Sequence, residues 1–348
     1  MRYNNIIITL LCYSFLSFAQ NKDADRDASF LALGDINLGR LVGQEILKGN
    51  LDYPFEKFGN VLQRADIIFA NLECPITDQN GETQSPKSNI IFCAPPAAST
   101  TLKRAGITVV STANNHAFDY GLKGLRETIQ FLNGDNIQFT GTVSDSVKEF
   151  LPVIINCNGI RIGILAYTQF VNIQGPWIGM ISVFDSTQAH SDIELLRSKV
   201  DFIIVSYHGG DEYKEYIGIS ADRQIKLLAE FGADIVVGHH PHVPQGIDLH
   251  NGCLIFYSLG NAVFNQPQRY WTQRSYAVLF NFKIWNGQKK ISSIELIPFH
   301  PGLQIETNLS DVDTRKLMDR IKKLSNVIIS KKERGYFVEQ SSLQANQK

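Results

Sequence analysis

An excess of charge of either sign is missing from this chain: 33 Lys and Arg stand against 34 Asp and Glu, for a net charge of −1. Without a basic surplus there is no electrostatic footprint for nucleic acid or for an anionic membrane surface. Cysteine is sparse, with five in 348 residues. Their spacings form no Cys-x-x-Cys pair and no zinc ribbon, which excludes a thiolate-built metal site. No internal repeat or low-complexity tract is present, which excludes solenoids and arrays. Long apolar runs are absent with one exception.

That exception is Ile6–Ala19, preceded by Arg2 and followed by the polar Asn21–Ala28. Residues 1–19 read as a secretory signal peptide and residues 20–28 as a linker. A buried N-terminal element and a retained membrane anchor stay open, because the run is near the lower length limit for spanning. The expected location is exported, periplasmic or cell-envelope associated. Cys12 lies deep in the run behind Leu10 and Leu11, so it does not read as a lipid-attachment site. The other four, Cys74, Cys93, Cys157 and Cys253, allow three disulfide pairings or remain free thiols.

What is present is a globular composition, 44% hydrophobic and 19% charged, in a chain long enough for a large core. Strands are predicted at Phe30–Asp35, Ala65–Glu73, Ile107–His116, Asp201–Gly210 and Ala233–His240. Helices are predicted near Ala97–Ala105, Leu122–Leu132 and Ala221–Phe231. This alternation points to a layered α/β fold. Asn158-Gly159, Asn251-Gly252 and Asn286-Gly287 each sit between β-type runs and suit two-residue hairpin turns. Residues 310–330 read as a helix with Ser310 and Asp313 as a capping box, and the tail beyond as disordered. The expectation is one domain over residues 29–300 and a C-terminal extension over 301–348.

Nearly every apolar strand ends in metal-capable residues. The first delivers Asp35 and Asn37, the second Asn71 and Glu73, the third Asn114, Asn115 and His116. A later strand delivers His208, with Asp211 and Glu212 beyond it, and the next delivers His239, His240 and His242. Alone, each has an ordinary reading: a turn at Gly34-Asp35, a solvated strand end at Glu73, a loop histidine at His208. Together they predict one site, because layered α/β folds gather ligands at the carboxyl ends of their strands. In an extended chain around Pro241, His240 and His242 point the same way and His239 points away as a bystander. Carboxylates, imidazoles and amide oxygens without thiolates suit Mn, Fe, Zn or Mg, one ion or two. Two such ions, about 3.5–4 Å apart, activate water and stabilise developing charge.

The segments Gly34–Arg40, Ala65–Thr77, Thr112–Gly121, Ser206–Tyr213, Gly232–Ile247 and Ile255–Gln266 together resemble the CapA family of bacterial capsule or poly-γ-glutamate synthesis proteins. The resemblance covers roughly residues 29–267 and implies a calcineurin-like metallophosphoesterase fold, an αββα layered sandwich with additional β-hairpins. It implies metal ligands at Asp35, Asn37, Glu73, Asn115, His208, His240 and His242. Asn37 stands where the phosphatases carry a histidine, and Glu73 where they carry a bridging aspartate. His116 is implied as acid or charge stabiliser, with Asp119 orienting it and Glu212 as ligand, general base or substrate contact. Asn71, Asn114, Ser258, Gly260 and Asn261 are expected to support or line the site.

By analogy with the family name, the expected function is a secreted, metal-dependent hydrolase or transferase acting on poly-γ-glutamate or another envelope polymer. A metallophosphoesterase and a non-catalytic polymer-binding or export protein are the alternatives. The expected partners are an anionic or peptide-like envelope polymer and the capsule-synthesis machinery. Membrane association is expected only through the N-terminal segment. The aromatic, glycine-rich Gly175–Phe184 reads as a lid.

Overall fold

Period-two alternation of apolar residues decides the layers. In β1 (Arg26–Ile36), Phe30 and Ala32 enter one core while Leu31 and Leu33 enter another. A strand with two apolar faces must be covered on both sides. The computed structural model describes residues 25–145, 149–333 and 335–344. The signal-peptide and membrane-anchor readings, most of the linker and the last four residues lie outside the described residues. Among the described residues, no helix is long and apolar enough to cross a membrane.

After β1 come β2 (Ile67–Leu72), β3 (Val109–Ser111) and β4 (Gln138–Thr140). Then follow β5 (Val153–Cys157), β6 (Ile160–Thr168), β7 (Phe202–His208), β8 (Ile235–His239), β9 (Ile247–His250) and β10 (Cys253–Phe256). The last block is β11 (Asn261–Val263), β12 (Ser275–Trp285), β13 (Gln288–Phe299), β14 (Ile329–Lys332) and β15 (Gly335–Val338). The middle block forms one sheet, in the order β5-β6-β7-β8-β10-β9. The first and last blocks form the other, in the order β14-β15-β13-β12-β1-β2-β3-β4, with β11 beside β1. Strands β1 to β4 run parallel, as do β6, β7, β8 and β10.

The inner faces meet in a core of Phe30, Phe69, Ile162, Ile204, Val237 and Phe280, among others. Helices Arg40–Leu47, Ala98–Arg104 and Gly121–Gly134 carry Val42, Leu102 and Leu132 into the outer core of the first sheet. Helices Ser186–Arg197 and Ile219–Glu230 carry Ile193 and Leu228 into that of the second. The layers are therefore αββα. The three Asn-Gly pairs are hairpin turns between β5 and β6, β9 and β10, and β12 and β13. The asparagines take φ of 50°, 49° and 48° and the glycines 82°, 78° and 73°, as such turns require.

Two expectations are corrected. The third strand ends at Ser111, so Asn114, Asn115 and His116 lie in the loop after it. The C-terminal region is not a helix followed by a disordered tail. The helix spans Asp311–Leu324, capped by Ser310 Oγ accepting from the Asp313 N–H at 3.1 Å. It buries Leu317, Met318 and Ile321 in the inter-sheet core. Beyond it β14 and β15 pair antiparallel, and β15 extends the sheet beside β13. The physical reason is the core left open at that end of the sheets, which Ile329, Tyr336 and Val338 fill.

Candidate metal centre

The parallel strands of both sheets end at one place, and the polar residues gather there. Along β2 the inner-face rhythm Ile67, Phe69 continues into Asn71 and Glu73. Along β7 the rhythm Phe202, Ile204 continues into Ser206 and His208. Strand β1 needs a correction of phase, because Leu33 and Ile36 both enter the outer core. The register with β2 shifts between Ala32 and Asp35. This irregularity re-aims Asp35 into the site, as bulges beside functional sites do. Gly34 sits in it because a Cβ there would lie 1.9 Å from the Gly260 carbonyl oxygen.

Glu73 is the centre of the arrangement. It is 0% exposed, and neither carboxylate oxygen has a hydrogen-bond partner among the described residues. Its Oε1 lies 3.7 Å from His208 Nε2 and 3.7 Å from His242 Nε2. Those gaps are too long for hydrogen bonds. They suit donors that share a cation at about 2.0–2.2 Å from each. Two sets of donors converge there, Glu73 with His208 and His240, and Asp35 with Glu73 and His242. Glu73 belongs to both. Asn115 Oδ1 lies 2.7 Å from His208 Nε2 and joins the first set. A buried carboxylate without donors is costly, and a divalent ion is the partner these residues fit.

Electrostatics agree with the geometry. Burial drives the Glu73 carboxyl well above its ordinary range, and the charges of Asp35, Glu212 and Asp119 add to this. Burial would also raise Asp35, but the hydrogen bonds and charges of His239 and His242 outweigh it and hold Asp35 well below. Burial pushes His208 well down and His240 to about 3, with neighbouring imidazoles adding to both shifts. Neutral imidazole is the form that ligates metal.

A polar shell aims these groups. Asn71 Nδ2 donates to Asp35 Oδ1 at 2.9 Å and lies 3.1 Å from His208 Nδ1. Asn114 Nδ2 donates to Asn71 Oδ1 at 3.2 Å and to the Leu72 carbonyl at 2.8 Å, and Asn114 Oδ1 accepts the His116 N–H. Asn261 Oδ1 lies 2.9 Å from His242 Nδ1, which turns Nε2 of that ring toward Glu73. Ser258 Oγ accepts the Gly260 N–H at 3.1 Å and shapes the turn before Asn261. His116 Nδ1 is 2.8 Å from Asp119 Oδ2, which also accepts the Phe92 N–H. Met180 and Ile181 of the Gly175–Phe184 loop pack with Phe118, behind His116.

Two sequence expectations about the histidines are corrected. His239 does not face away: its Nδ1 lies 3.2 Å from Asp35 Oδ1. Strand β8 ends on it, and alternation puts it on the inner face with Ile235 and Val237. His240 and His242 share a side for a different reason than extended geometry, since both take left-handed backbone, with φ of 97° and 58°. Asn37 is buried just past β1. Its Oδ1 accepts the Gly39 N–H at 2.9 Å and its Nδ2 has no partner, so it shapes the turn into helix Arg40–Leu47. Glu212 is exposed at the rim, hydrogen-bonded to Tyr213, and its charge reaches Glu73. All four described cysteines are free thiols.

Sequence reasoning did not single out Tyr213, whose ring lies 6.1 Å from that of His242, or Phe92, whose ring lies 4.3 Å from that of His116. Tyr213 falls in a segment read for its histidine and carboxylates, Phe92 falls outside every segment singled out, and no side-chain chemistry marks either.

The chain is 30% identical to the capsule biosynthesis protein CapA of Bacillus anthracis over 283 residues, covering 77% of this chain and 66% of that protein. It is 28% identical to the PGA biosynthesis protein CapA of Bacillus subtilis (strain 168), covering 86% of this chain and 78% of that one. Among solved structures, it is similar to the calcineurin-like phosphoesterase YfkN from Bacillus subtilis. That match has a TM-score of 0.48 at 16% identity, covering 86% of this chain and 97% of that one. The family described as bacterial capsule synthesis protein PGA_cap matches residues 29–266. With its signature strand ends gathered in one buried site, the chain belongs to that bacterial capsule synthesis family.

Proposed function

We propose that this protein is a metal-dependent hydrolase or transferase of the cell envelope, acting on a γ-glutamyl or other peptide-like capsule polymer. The observation that carries the reading is Glu73, a buried carboxylate without donors between two sets of ligand atoms. Asp35, Glu73, Asn115, His208, His240 and His242 would hold one or two divalent ions. When bound, such ions polarise the attacked group and make water nucleophilic near neutral pH. The names of the two Bacillus relatives support a capsule or polyglutamate substrate and an envelope location.

The chain's own residues handle the proton. Asp119 Oδ2 already accepts the Phe92 N–H, so the proton shared with His116 is placed on Nδ1. That leaves Nε2 for the substrate. His116 Nε2 takes the proton of the nucleophile as it bonds to the carbonyl carbon, and gives that proton to the leaving nitrogen as the amide C–N bond breaks. Asn71 and Asn261 hold His208 and His242 in place, so no reorganisation is needed during reaction.

The test is elemental analysis of the wild type beside Glu73→Ala and His240→Ala, followed by incubation of the metal-loaded protein with a γ-linked glutamate oligomer and p-nitrophenyl phosphate. The expected result is bound metal in the wild type, less in both variants, and cleavage of the oligomer seen by mass spectrometry. Cleavage of the phosphate ester alone would move the assignment to phosphoester hydrolysis. Verified metal with both substrates intact would sink the catalytic reading in favour of polymer binding or export.

A further inference from the structure

Among the described residues, nine that are not glycine take positive φ. Five are asparagines, the residue that tolerates this backbone best. The other four are His240 and His242, already placed as ligands, and Arg40 and Tyr213, with φ of 51° and 64°. Left-handed backbone in bulky residues is costly and persists where the surroundings impose it, often at functional sites. Arg40 is held at both backbone groups: its N–H donates to the Thr83 carbonyl at 2.8 Å, and its carbonyl accepts from Thr83 Oγ1 at 2.9 Å.

The side chain is held as firmly. The guanidinium carbon of Arg40 lies 4.3 Å from the centre of the Phe92 ring, and Phe92 lies 4.3 Å from the His116 ring. Phe92 therefore touches both this cation and His116. The chain of rings continues from Phe92 to Phe264 at 6.0 Å, to His242 at 4.7 Å and to Tyr213 at 6.1 Å. It ends under a second cation, Arg269, 4.2 Å from the Tyr213 ring centre. Two arginines thus flank the ring belt around the metal centre.

Among the described residues, neither cation forms an ion pair with a carboxylate. The arginines in ion pairs among the described residues are Arg64, Arg104, Arg161, Arg197, Arg274 and Arg320. Arg40 donates from Nη2 to the Asn89 carbonyl, and its buried Nε–H has no acceptor. Exposed Glu212 hydrogen-bonds to Tyr213. Arg40 also lines a cavity of about 410 Å³ with Asn37, Gly39, Thr83, Asn89 and Phe264. A fixed planar guanidinium with spare donors matches the paired oxygens of a carboxylate or phosphate.

We propose that Arg40 and Arg269 bind an oxyanion of the substrate, a carboxylate or a phosphate, and so hold the polymer across the metal centre. This rests on the proposed function and adds the residues that select its substrate. Both are specificity residues at the two ends of the belt of rings, and neither is a metal ligand.

The test measures binding to EDTA-treated full-length protein by calorimetry, which separates it from metal loading and from catalysis. The probes are a γ-linked glutamate oligomer, the same oligomer with its free carboxylates amidated, and inorganic phosphate. Arg40→Gln is expected to weaken binding of an oxyanion probe about ten- to a hundredfold, the worth of a charge-assisted hydrogen bond. Arg40→Lys should recover part of the loss, and Arg269→Gln should show a smaller one. Binding of the amidated oligomer should be weak and insensitive to all three. A loss confined to the glutamate oligomer identifies a carboxylate, and one confined to phosphate identifies a phosphate. Wild type that binds neither oxyanion, or folded Arg40→Gln that binds both as wild type does, overturns the proposal. If metal-loaded protein cleaves nothing but Arg40-dependent binding persists, the catalytic reading falls and this one stands.

Discussion

Glu73→Gln separates a metal centre from a merely structural carboxylate. In the wild type, both Glu73 oxygens are buried without hydrogen-bond donors, and Asp35 adds a second negative charge nearby. An unsatisfied buried polar group costs about 1–3 kcal/mol. Gln keeps the shape and removes the charge, so metal-free Glu73→Gln should melt at or above metal-free wild type. Metal reverses the order. An ion at about 100 times its dissociation constant stabilises the folded state by about 2.7 kcal/mol. At about 2 °C per kcal/mol for a chain of this size, that raises the wild-type Tm by about 5 °C. The variant lacks the shared ligand of both sets and should gain less than about a third of this. Scanning calorimetry with and without EDTA, beside elemental analysis, reads both effects. Equal metal increments in the two proteins, or a metal-free variant melting well below wild type, would refute the assignment of Glu73 as the central ligand.

Asn261→Leu removes the acceptor facing His242 Nδ1 and should weaken metal binding about ten- to a hundredfold while the fold survives, as chelator competition would show. Asp119→Asn removes the carboxylate that holds the His116 proton on Nδ1. It should lower kcat about a hundredfold or more with metal content unchanged, and an unchanged kcat would remove His116 from proton transfer. Gly34→Ala forces a methyl group against the Gly260 carbonyl. It should destabilise by about 3 kcal/mol or more, read by urea denaturation, and a neutral result would show that the β1 irregularity relaxes freely.

The ingathering of Asp35, Glu73, His208 and His242 was legible because parallel strands end on the same side of a sheet. A polar residue just past an apolar run is therefore already placed. Hairpin turns were legible because Asn-Gly carries its own backbone preference. The C-terminal strands were not. Ile329–Lys332 and Gly335–Val338 are four residues each, too short for a period to show. They form because β13 offers an edge and the inter-sheet core needs covering.

The sequence by itself determined the layered α/β class, the hairpins and the residue types that meet at the strand ends, since these follow from local periodicity and turn chemistry. Tertiary structure alone decided which way each side chain points. Asp35 is re-aimed at a register shift where the Gly260 carbonyl, in the turn before β11, accepts its N–H. His239 joins Asp35 because β8 ends one residue before the chain turns left-handed at His240. Arg40 lies over the Phe92 ring because Thr83 holds its backbone there. Direction depends on φ, bulges and distant contacts, and none of these is written in the spacing of residue types.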